Sequence, residues 1–367
     1  MDPLESRNNS GRQGIALLPR RDYRRDSAGG ELALVQELLQ AAPSPIAHEF
    51  LAHYYISAKS WPLVLLVGRP GVGKRHLFHL LSGGIAGGSS GQIRLLPAQP
   101  SRQERSDRGE SPARPPLDSI QGRFNTMAFL DLLAESTTPG NEGRAYFICL
   151  DQATPEELVG YTQLYLTPHQ RNEGPPPLPA NLYLTAVVPT ASWVWQLPAA
   201  LLNRIGLVEV TVPLEGEEAL PPRPCPPVGW QRLFLRSALR DPELARQRLQ
   251  EAGVLEEFQS LLAQLADCLG PEAGPGLEEG VLLYTASSFT AEGEGLLDGS
   301  AMANLQQALD LQLFQRILPA MGQRSSWTQE GWERLIGQLD GRFPRAHARA
   351  RRILIDQSAA GGTEDSG

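Results

Sequence analysis

Lysine is almost missing from this chain, which carries two, Lys59 and Lys74, against 31 arginines. With abundant Ala, Gly, Pro and Leu, the arginine excess reads as a coding bias rather than a functional choice. Cysteine is nearly as scarce. Cys149, Cys225 and Cys268 form no C-x-x-C pair, which argues against a zinc site or a disulfide framework and fits a reducing compartment. No apolar run reaches the roughly 18 residues of a membrane span, and Met1-Asp2-Pro3-Leu4-Glu5 lacks the charged-then-apolar pattern of a leader. The expectation is a cytoplasmic protein with no membrane partner. A positive balance is lacking too: the net charge of −8 excludes a molecule that is basic overall and grips nucleic acid by bulk electrostatics, while leaving local basic patches open. What the chain does have is 41% hydrophobic residues over 367 positions, enough for a sizeable core in one large or two medium domains.

One of the two lysines closes the most informative stretch, Pro62-Leu63-Val64-Leu65-Leu66-Val67-Gly68-Arg69-Pro70-Gly71-Val72-Gly73-Lys74-Arg75. It reads as a buried strand, a phosphate-cradling loop and the start of a helix. Gly68 to Arg75 are the candidate phosphate-binding residues: Gly68, Gly71 and Gly73 turn backbone N–H groups inward, with Arg69, Pro70 and Val72 between them. Lys74 neutralises phosphate at the positive end of the helix. The next position departs from the P-loop pattern. A Ser or Thr hydroxyl there would ligate Mg²⁺; Arg75 has no acceptor atom to offer.

Residues 1 to about 30 are polar and hold Arg20-Arg21-Asp22-Tyr23-Arg24-Arg25, read as a disordered basic tail. Helical spacing follows from Glu31 and again from Ile46 to Ile56, separated by Pro43-Ser44-Pro45. His48 and His53 do not share a helix face, so they read as core or surface histidines rather than metal ligands. After a loop helix from Lys74 to about Leu81, Gly83-Gly84 to Gly91 reads as a turn region and Ile93-Arg94-Leu95-Leu96 as a strand. The hydrophobe-poor stretch of about 99–117 reads as a disordered insertion, and a helix is expected from about Thr126 to Glu135.

Arg144 to Leu150 form a second buried strand, ending at Asp151-Gln152. An aspartate at the carboxyl end of such a strand sits beside the loop and holds a metal's water shell, which makes Asp151 the candidate metal residue. The next residue is usually a Glu that orients the attacking water. Gln152 can hydrogen-bond that water but cannot take its proton. Further along, Pro155 to Leu166 reads as a helix, Asn181 to Pro189 as a strand, Leu197 to Ile205 as a short helix ending at Arg204, and Gly206 to Val212 as a last strand. Strands and helices alternating at this length imply an α/β fold with a parallel sheet and helices on both faces.

The order of these parts resembles the core of AAA+ P-loop NTPases, and within them the McrB-like branch. The resemblance also rests on Gln99-Pro100-Ser101, Gly122-Arg123-Phe124, Leu178-Pro179-Ala180-Asn181-Leu182 and the run from Leu309 to Pro319. It covers roughly residues 45 to 322. It implies that Lys74 meets the phosphates, that Asp151 holds the metal's water shell, and that Arg204 is an arginine finger reaching a neighbouring subunit's site. Three departures fall on hydrolysis: Arg75 in place of Ser or Thr, Gln152 in place of Glu, and Pro189 where the sensor strand should end in Asn.

On this reading residues 31–213 are the nucleotide-binding domain, 214–228 a linker, 229–357 a smaller helical lid and 358–367 a disordered tail. The lid's helices are expected at Trp230–Leu239, Pro242–Ala252, Leu255–Leu269, Met302–Leu318, Thr328–Leu339 and Pro344–Ile355. Arg342, Arg345, Arg349 and Arg352 form a stripe on the last of them, beside Phe343, Ala346, Ala350 and Ile353. It reads as a solvated face or, alternatively, as a contact for nucleic acid or an acidic partner.

The resemblance implies a subunit that binds ATP or GTP, with Mg²⁺ in question because of Arg75 and with weak or absent hydrolysis. Such a subunit would be a nucleotide-gated component of a homo- or hetero-oligomeric ring in a complex of defence or restriction type, with a separate nuclease or effector. The alternatives are an active ATPase or GTPase motor completed by Glu156, Glu157 or a partner, and a scaffold with an empty pocket.

Overall fold

The computed structural model describes residues 30–42, 44–87, 91–97, 126–155, 158–159, 178–190, 194, 197, 199–202, 204–214, 229–269, 275–322 and 327–361. The expectations for residues 1–29, for about 99–117, and for 215–228 and 362–367 lie outside these residues, as do Glu156 and Glu157.

Two helices precede the first strand, α1 (Glu31–Gln40) and α2 (Pro45–Ser60). Pro45 opens α2, where a missing N–H costs nothing, and Ser44 Oγ accepts from the Ala47 amide at 3.3 Å. The α/β part then runs β1 (Leu63–Val67), α3 (Lys74–Ala86), β2 (Ile93–Pro97), α4 (Thr126–Thr137), β3 (Tyr146–Asp151), β4 (Leu182–Val188), α5 (Ala199–Leu202) and β5 (Gly206–Glu209). The five strands form one sheet in the order β2-β3-β4-β1-β5, and every pairing is parallel.

Strand periodicity divides the side chains between two cores. Val64, Leu66, Phe147, Cys149, Tyr183 and Val187 face the helices α1, α2 and α3. Leu63, Leu65, Val67, Tyr146, Ile148, Leu150, Leu184 and Ala186 face the side of α4. Both faces are dry, which is why β1, β3 and β4 read as continuous apolar runs rather than alternating ones.

The remaining helices are α6 (Trp230–Ser237), α7 (Pro242–Glu251), α8 (Leu255–Leu269), α9 (Pro275–Ser287), α10 (Ala301–Gln312), a π-helical turn (Leu313–Ile317), α11 (Leu318–Gly322), α12 (Gln329–Leu339) and α13 (Pro344–Gly361). They bury a core of their own around Trp332, Phe258, Phe289 and Leu335. Phe234 of α6 and Tyr284 of α9 instead join the core shared by α1, α2 and the sheet.

The structure departs from the sequence expectations in several places, among them the last strand, which ends at Glu209 rather than Val212. The helix after the loop continues through Gly83-Gly84 to Ala86, with both glycines buried. Helix α9 is absent from the expectations: Val281, Leu282, Leu283 and Tyr284 are all buried, so no one-sided stripe announces it. The expected helix Met302–Leu318 widens into a π turn at Leu313–Ile317. Pro319 follows within the same helical run, and its ring takes away the N–H that the Gln315 carbonyl would otherwise accept from and crowds that carbonyl. Finally, α13 extends to Gly361, past the expected start of the tail at Ser358, whose hydroxyl donates to the Leu354 carbonyl at 2.9 Å.

Candidate functional site

Strand β1 delivers the loop to the carboxyl edge of the sheet. The Gly68 amide donates to the Val188 carbonyl of β4 at 3.2 Å, and the Val210 amide to the Val67 carbonyl at 2.7 Å. Gly68, Gly71 and Gly73 all have positive φ, 156°, 79° and 89°. Two of them also lack space for a side chain: a Cβ on Gly68 would stand 2.4 Å from the Val210 carbonyl oxygen, and one on Gly73 2.8 Å from Leu214 Cβ. Leu214, the first residue of the expected linker, is buried here, and its amide donates to the Val72 carbonyl at 3.1 Å. Val72 points into the core while Arg69, Pro70 and Gly71 stay exposed. The loop is therefore braced from beneath and open above.

Helix α3 starts directly at Lys74 with no side-chain cap on Gly73, so the positive end of its dipole lies at the loop. Lys74 is only 5% exposed. Its ammonium curls back to donate to the carbonyls of Gly68 and, at 2.7 Å, Arg69. Burial pushes its pKa below the usual value; Asp151 opposes that shift and Arg75 adds to it.

Asp151 ends β3 at the same edge, its side chain 4% exposed, and forms an ion pair through Oδ2 with the Arg75 guanidinium. The other oxygen, Oδ1, is buried without a hydrogen-bond partner. Arg75 is 53% exposed, so the pair runs from the buried strand end out toward solvent. Gln152 follows with φ 59°, the one positive-φ residue other than glycine among the described residues. Pro189 follows Val188, the β4 residue that accepts from the loop, and is exposed.

The structure thus brings together Gly68 to Arg75, Asp151, Gln152 and Pro189. Arg204 is not among them. It is exposed in the turn before β5, and β5 begins beside Val64, at the amino half of β1, whereas the loop leaves from Val67. Arg204 therefore lies at the opposite end of the sheet from its own chain's loop.

The donor set fits an anion. An inward-turned loop, a helix N-terminus, the Lys74 ammonium and the Arg75 guanidinium are all donors. It does not fit Mg²⁺, because the hydroxyl ligand is replaced by a guanidinium that already occupies one oxygen of the candidate carboxylate, and a dication beside it would be repelled. No group of three or more His, Cys, Asp or Glu suited to a metal ion occurs among the described residues. Among the same residues, no helix is long and apolar enough to cross a membrane.

A second polar constellation, missed at the level of sequence, ties the C-terminal helices to the sheet. His53 of α2 accepts at Nδ1 from the Tyr284 hydroxyl and donates at Nε2 to Gln315 Oε1 (2.7 Å) and the Leu207 carbonyl (3.1 Å). Gln315 Oε1 also accepts from the Glu209 amide at 3.2 Å. The next residue of the π turn, Arg316, donates to the carbonyls of Leu202 and Ile205, the latter at 3.0 Å, and lies over the Trp61 ring. Burial pushes its pKa down to about 10. It clamps the turn that carries Arg204. In the arginine stripe, Arg345 pairs with Glu49 at 2.8 Å and Arg349 with Glu209 at 3.5 Å, so part of that stripe joins α13 to α2 and β5.

Fold and site together define a parallel α/β protein with a glycine-rich loop at the carboxyl edge of its sheet. No protein-family model matches the chain, and no curated protein is significantly similar to it.

Proposed function

We propose that this chain is a nucleoside-triphosphate-binding subunit of the AAA+ type, nearest in its motifs to the McrB-like branch, that grips ATP or GTP without hydrolysing it efficiently. The observation that carries this reading is the Arg75–Asp151 ion pair beside an otherwise complete phosphate loop. The loop keeps every group that holds phosphate. The positions that would activate water carry Gln152 and Pro189, and neither accepts a proton at that point.

Bound nucleotide then acts as a gate for assembly rather than as a fuel. Arg204 supports that role, since its distance from its own loop leaves another subunit's nucleotide as the one it meets in a ring. Chemistry on a target would belong to a separate nuclease or effector subunit.

The test is calorimetric titration of ATP and GTP against the wild type and Lys74→Ala, followed by phosphate-release assays on the same samples. Binding that disappears in Lys74→Ala, with phosphate release no higher than in the variant, is the expected result. Steady turnover in the wild type alone would favour a motor, and no binding to either nucleotide would leave a scaffold.

A further inference from the structure

We infer that Arg240 and Tyr183 form a binding site for a small carboxylate at the amino end of the sheet, apart from the glycine-rich loop. The site goes beyond the nucleotide reading and does not rest on it.

Tyr183 lies near the start of β4, whose other end, Val188, accepts from the loop. Its ring packs against those of Phe147 and Phe234, at centroid distances of 5.5 and 4.8 Å. Arg240, half-buried between α6 and α7, sets its guanidinium 5.2 Å from the centre of the Tyr183 ring. Backbone on both sides fixes that position. The Leu239 amide donates to the Lys59 carbonyl at 2.9 Å, and Asp241 caps α7.

Three polar atoms are left over. Arg240 Nε and Nη2 are buried with no hydrogen-bond partner, and so is the hydroxyl oxygen of Tyr183, a residue only 2% exposed. Nε and Nη2 make up the edge of a guanidinium whose N–H groups run side by side, the fork that matches both oxygens of a carboxylate. Burying such a fork without an acceptor costs free energy. Among the described residues, the carboxylates at hand are already engaged: Asp241 accepts from the Glu243 and Leu244 amides, and Glu31 is held by Lys59 and the Tyr55 hydroxyl. Burial pushes the Tyr183 pKa up, with Arg240 opposing, so the hydroxyl keeps its proton at neutral pH and can donate. Three donors satisfy the two oxygens of a carboxylate, whereas a phosphate would leave oxygens unmet among aromatic rings. Because the fork faces inward, it suits a free acid of formate or acetate size rather than a side chain carried by another backbone.

Melting temperatures of the full chain in sodium formate, acetate, phosphate and chloride at equal ionic strength, for the wild type, Arg240→Met and Tyr183→Phe, test this. In formate or acetate the wild type should melt several degrees higher than in chloride, and the gain should saturate as the acid is raised. Arg240→Met should show no such gain, and in chloride it should melt at or above the wild type, because an unmatched charge has left the interior. Tyr183→Phe removes only an unpartnered hydroxyl, so it should keep its fold in chloride and need several-fold more acid for the same gain. No gain in the wild type, or one that rises without saturation and equally in all three proteins, as a general salt effect does, overturns the inference. A larger response to phosphate than to either acid overturns it as well. None of these outcomes bears on nucleotide binding at the loop, which the titrations with Lys74→Ala decide separately.

Discussion

The two lysines of the chain sit in opposite surroundings. Lys59 is fully buried, 2.6 Å from Glu31 Oε1, and donates to the carbonyls of Ser287 and Phe289 at 2.8 and 3.2 Å. Glu31 in turn accepts from the Tyr55 hydroxyl at 3.1 Å. Burial pushes the Lys59 pKa down and Glu31 pulls it back. Lys74 has no carboxylate partner among the described residues and rests on two carbonyls of its own loop. One lysine has its charge neutralised inside the molecule and joins α1, α2 and the end of α9. The other keeps a charge that no described carboxylate in direct contact neutralises, which is what the proposed anion site needs. The contrast extends to the neighbourhoods, since His53 and Arg316 each find partners in the polar seam while the loop edge keeps an orphaned carboxylate oxygen.

The sharpest way to break this comparison is to remove each charge. Lys59→Met strands a buried carboxylate and the Ser287 carbonyl at the end of α9, while the Phe289 carbonyl keeps Arg248, and should cost about 3–5 kcal/mol in urea denaturation. The double variant Lys59→Met/Glu31→Gln should recover a large part of that loss, because the stranded charge has gone. Lys74→Ala should change stability by less than about 1 kcal/mol, since water replaces the ammonium at an open loop. Equal losses at both positions would mean that Lys74 is structural as well.

His53 sharpens the same comparison through pH. Burial lowers its pKa from 6.5 to about 4, with the Gln315 and Leu207 bonds opposing and Arg345 adding to the effect. Between those values the unfolded chain holds a proton that the folded chain does not. Its contribution is therefore complete above pH 6.5 and lost as pH falls toward 4, amounting to about 3 kcal/mol by the lower limit. Urea midpoints measured across this window should show the slope in the wild type and a shallower one in His53→Gln. Arg316→Met comes next. It strands the Leu202 and Ile205 carbonyls and should cost about 2 kcal/mol by the same measurement.

The sheet was legible because its signals are local: an apolar run ending in glycines and Lys74, and another ending in Asp151, each contained in a few neighbouring residues. Arg75 was legible as a departure from the phosphate-loop pattern, but not as the partner of Asp151, because that ion pair joins chain segments that meet only once β1, β4 and β3 lie side by side. The seam was hidden for the same reason. His53, Tyr284, Leu207 and Gln315 come from four distant segments, and nothing near His53 in the chain distinguishes a hydrogen-bonded core histidine from a surface one. Helix α9 escaped because it is buried between two cores, which erases the one-sided periodicity that revealed α8 and α12.

The smallest effect bears on the loop edge alone. Gln152 holds φ 59°, a left-handed conformation that a side chain adopts at some cost. Glycine takes it freely, so Gln152→Gly should stabilise the fold by at most about 1 kcal/mol in urea denaturation, the gain being reduced by the greater freedom of glycine in the unfolded chain. If nucleotide turnover is absent for want of a proton acceptor, removing this amide leaves phosphate release at the wild-type level. Gln152→Glu supplies the acceptor but leaves Arg75 and Pro189 unchanged, and should restore little. A large gain in turnover from that single exchange would show that the loop edge is one residue from an active enzyme, and that what the edge lacks lies in Gln152 rather than in Arg75.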